Sequence, residues 1–259
     1  MSKKRLIPKL QLVRSAKNPQ KLVVVITKQF GDRTEIGDPI SQAKIFQDQS
    51  ADELIFLNID RSENGISTLS NIISQISEEI FMPMTVGGGV NTENDFRVLL
   101  ANGADKISIN TKAIEQPSFI KQMSNKYGSQ CVVVSIDYKR DQDGMFYVYK
   151  QSGKIKTTLD PFKWAIEAER LGAGELLLTC IDNDGSRNGI EITVPKKIIK
   201  SVEVPVICGG GCGLASHFSE AFLETNAEAV CAGTFFAHRD QNLIQTRSQI
   251  ANAGINIRA

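Results

Sequence analysis

Two glycine triplets, Gly87–Gly89 and Gly209–Gly211, are the segments best suited to holding a ligand. Each ends a short β-branched run and precedes a helical pattern. Each is also followed, one strand-like run later, by a hydroxyl at a turn, Thr111 or Thr234. Glycine lets a backbone approach a ligand closely, and the amides at a helix start supply donors that a phosphate needs. A single triplet makes a tight turn and nothing more. Two copies in the same order point to two phosphates, or to one elongated ligand phosphorylated at both ends.

Polar residues close several of the strand-like runs. Gln11 ends the first and Asp137 the fifth, while Asn58 and Asp60 close the second and Asp182 and Asp184 the sixth. Asp137 is the candidate general acid or base, against the plainer role of a loop-capping carboxylate. At or near the opposite ends of runs one, two, four and six stand Arg5, Glu53, Lys106 and Glu175. Alone, each is a solvated strand-end charge; together, two acids and two bases can neutralise one another in a ring. The two histidines, His217 and His238, fall in helical or loop contexts and read as surface residues. Of the five cysteines (Cys131, Cys180, Cys208, Cys212, Cys231), four lie in or beside apolar runs, and no CxxC or Cys/His metal spacing occurs. Reduced core thiols in a cytosolic protein are expected, with no metal and no cofactor. Cys212, within GGGCG, is the one thiol placed beside a candidate site.

These residues need elements to position them. Eight strands are read at 5–11, 53–58, 83–87, 105–109, 131–137, 175–180, 205–209 and 228–232, with helical patterns between them, for example at 39–50, 93–103, 160–172 and 216–226. Asp160 before Pro161 is a helix start, an N-cap acceptor followed by a proline in the first turn. Strands alternating with helices indicate a parallel sheet, and eight of each close into an α/β (β/α)8 barrel. The sequence also repeats itself. LIFLNID at 54 answers LLLTCID at 176, and PMTVGGG at 83 answers PVICGGG at 205, both shifted by 122 residues; ADKISINT at 104 answers AEAVCAGT at 227, shifted by 123. Three matches in order at nearly one offset indicate two half-barrels of four βα units. Residues at the carboxyl ends of barrel strands face the site, which is where the glycine turns, Gln11 and Asp137 fall.

The chain of 259 residues has the length of one barrel domain, spanning 1–259. Its 41% hydrophobic content suffices for a large core, and a net charge of +1 leaves no electrostatic footprint for nucleic acid or an anionic membrane. The start, MSKKRLIPKL, lacks the apolar stretch of a signal peptide, and no segment reads as a membrane span.

Segments spread over nearly the whole chain resemble the cyclase subunit of imidazole glycerol phosphate synthase: RLIPKL, GDPI (37–40), DELIFL (52–57), TVGGG, GADKISINT, YGSQCVVVSID (127–137), GAGELLLT (172–179) and the glycine turn after strand seven. In that family a partner glutaminase makes ammonia, which crosses the barrel from floor to active face and attacks a bisphosphorylated nucleotide. The resemblance implies one phosphate group at Gly89, Asn110 and Thr111 and another at Asp184, Gly185, Gly211, Gly233 and Thr234. It implies an ammonia gate of Arg5, Glu53, Lys106 and Glu175, and a glutaminase contact at Asp105. Of the family's two catalytic aspartates, one is present as Asp137 and the other is replaced by Gln11; the lysine of the first loop aligns with Ile26 and the aspartate after strand two with Asn58. A glutamine amide cannot exchange a proton near neutral pH. The departures cluster at the reaction centre. A divergent paralogue is therefore expected, of the kind associated with acetamidino groups on surface-polysaccharide sugars, working with a glutaminase and a separate amidotransferase. An authentic cyclase of histidine synthesis and a non-catalytic ammonia conduit are the alternatives.

Overall fold

Near-continuous apolar runs in short strands drive the chain to bury both faces of a sheet, and a closed parallel sheet does this without an edge. The computed structural model describes residues 3–60, 65–237 and 242–258. In chain order these form β1 (Arg5–Arg14), β2 (Leu22–Thr27), β3 (Arg33–Gly37), α1 (Pro39–Asp48), β4 (Leu54–Asn58), α2 (Gly65–Ser77), β5 (Met84–Gly87), α3 (Glu93–Ala101) and β6 (Lys106–Ile109). They continue with α4 (Thr111–Glu115), α5 (Ser118–Tyr127), β7 (Val132–Arg140), β8 (Phe146–Lys150), β9 (Ile155–Lys156), α6 (Pro161–Arg170) and β10 (Glu175–Cys180). The last elements are α7 (Thr193–Ile199), β11 (Val206–Gly209), α8 (Ala215–Thr225), β12 (Ala229–Ala232) and α9 (Leu243–Asn252). His238 lies outside the described residues.

Eight parallel strands close the barrel in the order β1, β4, β5, β6, β7, β10, β11, β12 and back to β1. They are the eight read from the sequence. β1 and β7 run three residues past their expected ends because each continues into an antiparallel hairpin, β2–β3 on β1 and β8–β9 on β7. The hairpins follow the first strand of each half, so the repeat in sequence has a counterpart in topology.

Side chains alternate across the barrel wall. Leu6, Leu54, Phe56, Val132, Val134, Leu176 and Leu178 point outward beneath the helices. Ile7, Ile55, Val133, Leu177, Ile207, Ala229 and Cys231 point inward and form a fully buried layer across the barrel. That layer separates a charged floor from a polar mouth. Helix starts are fixed locally, as at α6, where the Asp160 side chain accepts from Lys163 N at 2.9 Å and Pro161 opens the helix.

Candidate functional site

The floor is an alternating ring of charge. Arg5 donates to Glu53 and, at 2.6 Å, to Glu175; Lys106 Nζ donates to Glu53 at 3.0 Å and to Glu175 at 2.8 Å. Strand parity explains the assembly: all four residues sit at the starts of inward-facing registers on β1, β6 and β10, or one residue before β4. The two carboxylates and Arg5 are buried, whereas the Lys106 side chain is 21% exposed and is the member that meets solvent. Burial alone would push the Glu53 carboxyl up, but Arg5 and Lys106 outweigh it and hold it below the usual range. The guanidinium of Arg5 likewise overcomes its burial and is raised by Glu175 and Glu53. Asp105, next to Lys106 in sequence, is exposed at the same end and accepts from Met84 N at 2.8 Å through one oxygen.

Above the apolar layer the inward positions turn polar. Lys9 and Gln11 on β1, Ser135 and Asp137 on β7, Ser108 on β6, Asn110 just beyond it and Thr179 on β10 line one side of a cavity of about 890 Å³. Ser135 Oγ donates to Asp137 Oδ1 at 3.2 Å, and Asn110 Nδ2 reaches Asp137 Oδ2 at 3.1 Å and the carbonyls of Ser135 and Tyr149. Asn110 Oδ1 is buried without a hydrogen-bond partner. Thr27 Oγ1 lies 2.9 Å from both the Gln11 side-chain amide and Asp184 Oδ2. A hydroxyl has one proton and an ionised carboxylate only accepts. Thr27 therefore donates to Asp184 Oδ2 or to Gln11 Oε1, and not to both at once.

Burial pushes the Asp137 carboxyl up from 3.8 to about 6; Lys9 and the Ser135 hydroxyl pull it down, and Asp184 pushes it up again. A carboxyl titrating there is suited to proton transfer near neutral pH. Its folded-state pKa is raised, so its contribution to stability is present in full below the unfolded value and is lost as pH rises through about 6. A carboxyl-carbon NMR titration is expected to place the Asp137 midpoint near 6; a midpoint in the ordinary carboxylate range would show the mouth to be fully hydrated.

The two glycine turns differ in surroundings. Gly89, with Asn110 and Thr111, borders the large cavity, and a side chain at Gly89 would meet only Ile66, at 3.9 Å. Of the second group, Asp184, Gly185, Gly211, Gly233 and Thr234, none is among the cavity's lining residues. Gly185 packs on the Thr27 backbone and Gly211 on Gly189, where an added Cβ would fall 2.0 Å from a carbonyl in each case. Both triplets lead into helices through turns whose amides, just before the first helical residue, are already engaged. Asn91 N and Thr92 N donate to Asp95, and Gly213 N and Leu214 N donate to His217 Nδ1. His217 is thus a half-buried cap on α8 rather than a surface residue.

The other strand-end residues have structural partners. Asp182 accepts from Arg140 N at 2.8 Å, Asp60 faces Arg14 at 3.6 Å, and Asn58 Oδ1 accepts from Asp60 N at 3.0 Å. Ile26 stands on β2 beside Ile36 and Gln42, away from the large cavity. Cys212 is buried, and that burial pushes its thiol well above the usual value, so it is an inert core thiol. Among the described residues no cluster of three or more His, Cys, Asp or Glu side chains is arranged to hold a metal, and no helix is long and apolar enough to cross a membrane. Sequence reading missed Lys9 and Thr27. Lys9 was visible as a lysine at an inward parity of β1, two residues from Gln11.

A family model described as histidine biosynthesis protein matches residues 16–242. The chain is 44% identical over 259 residues to the "Putative imidazole glycerol phosphate synthase subunit hisF2" of Prochlorococcus marinus (strain MIT 9313), covering 100% of this chain and 99% of that one. It is 39% identical over 258 residues, 100% of both chains, to the imidazole glycerol phosphate synthase subunit HisF of Alkaliphilus metalliredigens (strain QYMF). The subunit HisF of Bacillus licheniformis is 39% identical over 236 residues, 91% of this chain and 94% of that one.

Proposed function

The chain belongs to the histidine biosynthesis protein family, in its HisF-like branch, and from that premise we propose that it is the barrel subunit of a glutaminase complex, receiving ammonia at its floor and delivering it to a phosphorylated ligand at its mouth. The observation that carries this reading is the four-membered ion ring, complete and paired at every link, at the floor of a barrel whose mouth has changed. A paired ring is nearly neutral overall, so it presents polar edges to ammonia without repelling it. The apolar layer above favours neutral ammonia over ammonium, whose transfer into such a medium costs many kcal/mol.

At the mouth, Gly89, Asn110 and Thr111 hold one phosphate, and the turns around Asp184, Gly185, Gly211, Gly233 and Thr234 hold the other after the packed second loop yields. Asp137 serves as acid or base. Gln11 occupies the opposite position without an exchangeable proton and lies beside Thr27. Intact entry with an altered centre supports a divergent paralogue that serves acetamidino-sugar synthesis on surface polysaccharide together with a separate amidotransferase. An authentic cyclase subunit of histidine synthesis is the second reading, favoured by 39% identity along the full chain to a subunit HisF and by the retained Asp137.

Docking is the test of the floor. Asp105 offers an exposed carboxylate oriented by Met84 N, and Phe81, 90% exposed, precedes β5 at the same end. Titration of the chain with a glutaminase subunit is expected to give a complex that weakens at least tenfold on Asp105→Lys and less on Asp105→Asn, which keeps the acceptor for Met84 N. A native chain that binds no glutaminase removes the floor from the proposal.

A further inference from the structure

Lys9 is an ammonium that the protein leaves half satisfied. It stands on β1 one inward position below Gln11 and one above Ile7, so it occupies the barrel axis where the apolar layer gives way to the mouth. Its side chain is only 3% exposed. An ammonium has three donors, and among the described residues this one has a single partner, Asp184 Oδ1, at 3.4 Å. A charge-assisted N–H···O bond closes to roughly 2.7–2.9 Å, so the pairing is loose. Asp184 is also shared, because its other oxygen lies 2.9 Å from the Thr27 hydroxyl.

A buried ammonium that lacks acceptors ordinarily gives up its proton. Here burial alone would lower the Lys9 pKa, but Asp184, Cys231 and Asp137 outweigh it and raise the value. The mouth therefore contains a fixed cation with donors directed at a cavity. Facing it are Asp137 on β7 and Asp184 after β10, with the neutral amides of Gln11 and Asn110 alongside. Asp137, with its pKa raised by burial to about 6, can turn from acceptor to donor when an anion arrives.

We propose that Lys9 is a ligand-binding residue whose ammonium holds an anionic oxygen of the ligand on the barrel axis, so that the mouth selects a phosphorylated ligand carrying an acidic group in addition to its rim phosphates. This rests on reading the large cavity as the ligand site. A carboxylate and a phosphate oxygen present the same chemistry to Lys9, and the two sources are separable by probe.

Calorimetric titration of the purified full chain with malonate and with inorganic phosphate, each against ribose 5-phosphate as a rim probe, tests the assignment. Lys9→Met removes the cation but orphans Asp184, so the comparison is also run with Asp184→Asn and with the Lys9→Met/Asp184→Asn pair, each checked for native thermal unfolding. Asp184→Asn alters a residue of the second phosphate group, so it serves as the reference for malonate binding in the pair and not as a native-like control. Adding Lys9→Met is expected to weaken malonate binding by about ten- to a hundredfold, the worth of a charge-assisted hydrogen bond, with ribose 5-phosphate changed less than threefold. The same pattern with inorganic phosphate in place of malonate assigns the axial group as a phosphate instead. Binding of both anions that is indifferent to Lys9 overturns the proposal and leaves the ligand site standing. Failure of all three probes to bind the native chain overturns both.

Discussion

Arg5→Met is expected to cost about 3–5 kcal/mol of stability at neutral pH, measured by urea unfolding. Arg5 supplies one of two cations to each of Glu53 and Glu175, whose side chains are 6% and 5% exposed. Methionine keeps the apolar stem and much of the volume, so the loss reads the charge rather than a cavity. Two buried carboxylates would then share the single ammonium of Lys106. The pH dependence identifies the cause. In the native chain Glu53 titrates below its ordinary value, so its stabilisation is present above the unfolded carboxylate pKa and is lost as pH falls through the folded one. In the variant the unpaired carboxylates are relieved by taking up protons. The gap between variant and native is therefore expected to be largest near neutral pH and to close in acid. A difference under about 1 kcal/mol, or one constant with pH, would show that the ring is hydrated and contributes little.

The fold was legible because the barrel's own rule is simple. Apolar runs such as CVVVSID and ELLLTC cannot be exposed on either face, and their regular alternation with helical patterns leaves few architectures. The floor ring was legible for the same reason, since charges at the starts of strands with inward parity must meet at the axis. The hairpins were not. VVVIT at 23–27 and FYVY at 146–149 are β-branched and aromatic runs, but a strict βα alternation absorbs them into loops. That omission hid Thr27, which reaches the mouth only because β2 folds back on β1 with Val25 opposite Gln11. Lys9 was overlooked for its type, although its parity with Gln11 already placed it inward; only its partner Asp184 needed the fold. The contrast between the open turn at Gly89 and the packed one at Gly211 also lies beyond sequence, because the two triplets are identical and only Gly189 and Asn183, which crowd Gly211, distinguish them.

The proposed divergence of the reaction centre rests on Gln11. A cyclisation that needs an acid on one strand and a base on another has only Asp137 here, and the amide opposite it lies beside Thr27 and has no proton to exchange at working pH. Losing one such group costs on the order of 10²–10⁴ in rate. Gln11→Asp restores a carboxyl within reach of Thr27, but it also brings a further negative charge toward Asp184, and Ile26 and Asn58 stay as they are, so recovery is expected to be partial. The most direct measurement is turnover of the bisphosphorylated histidine-pathway nucleotide by the purified chain at saturating ammonium, beside an ordinary cyclase subunit under the same conditions. The expected result is turnover at least a hundredfold lower in the native chain, with a measurable rise on Gln11→Asp. Native turnover within about tenfold of the ordinary subunit would contradict the divergent reading and make the chain a cyclase that dispenses with the second aspartate.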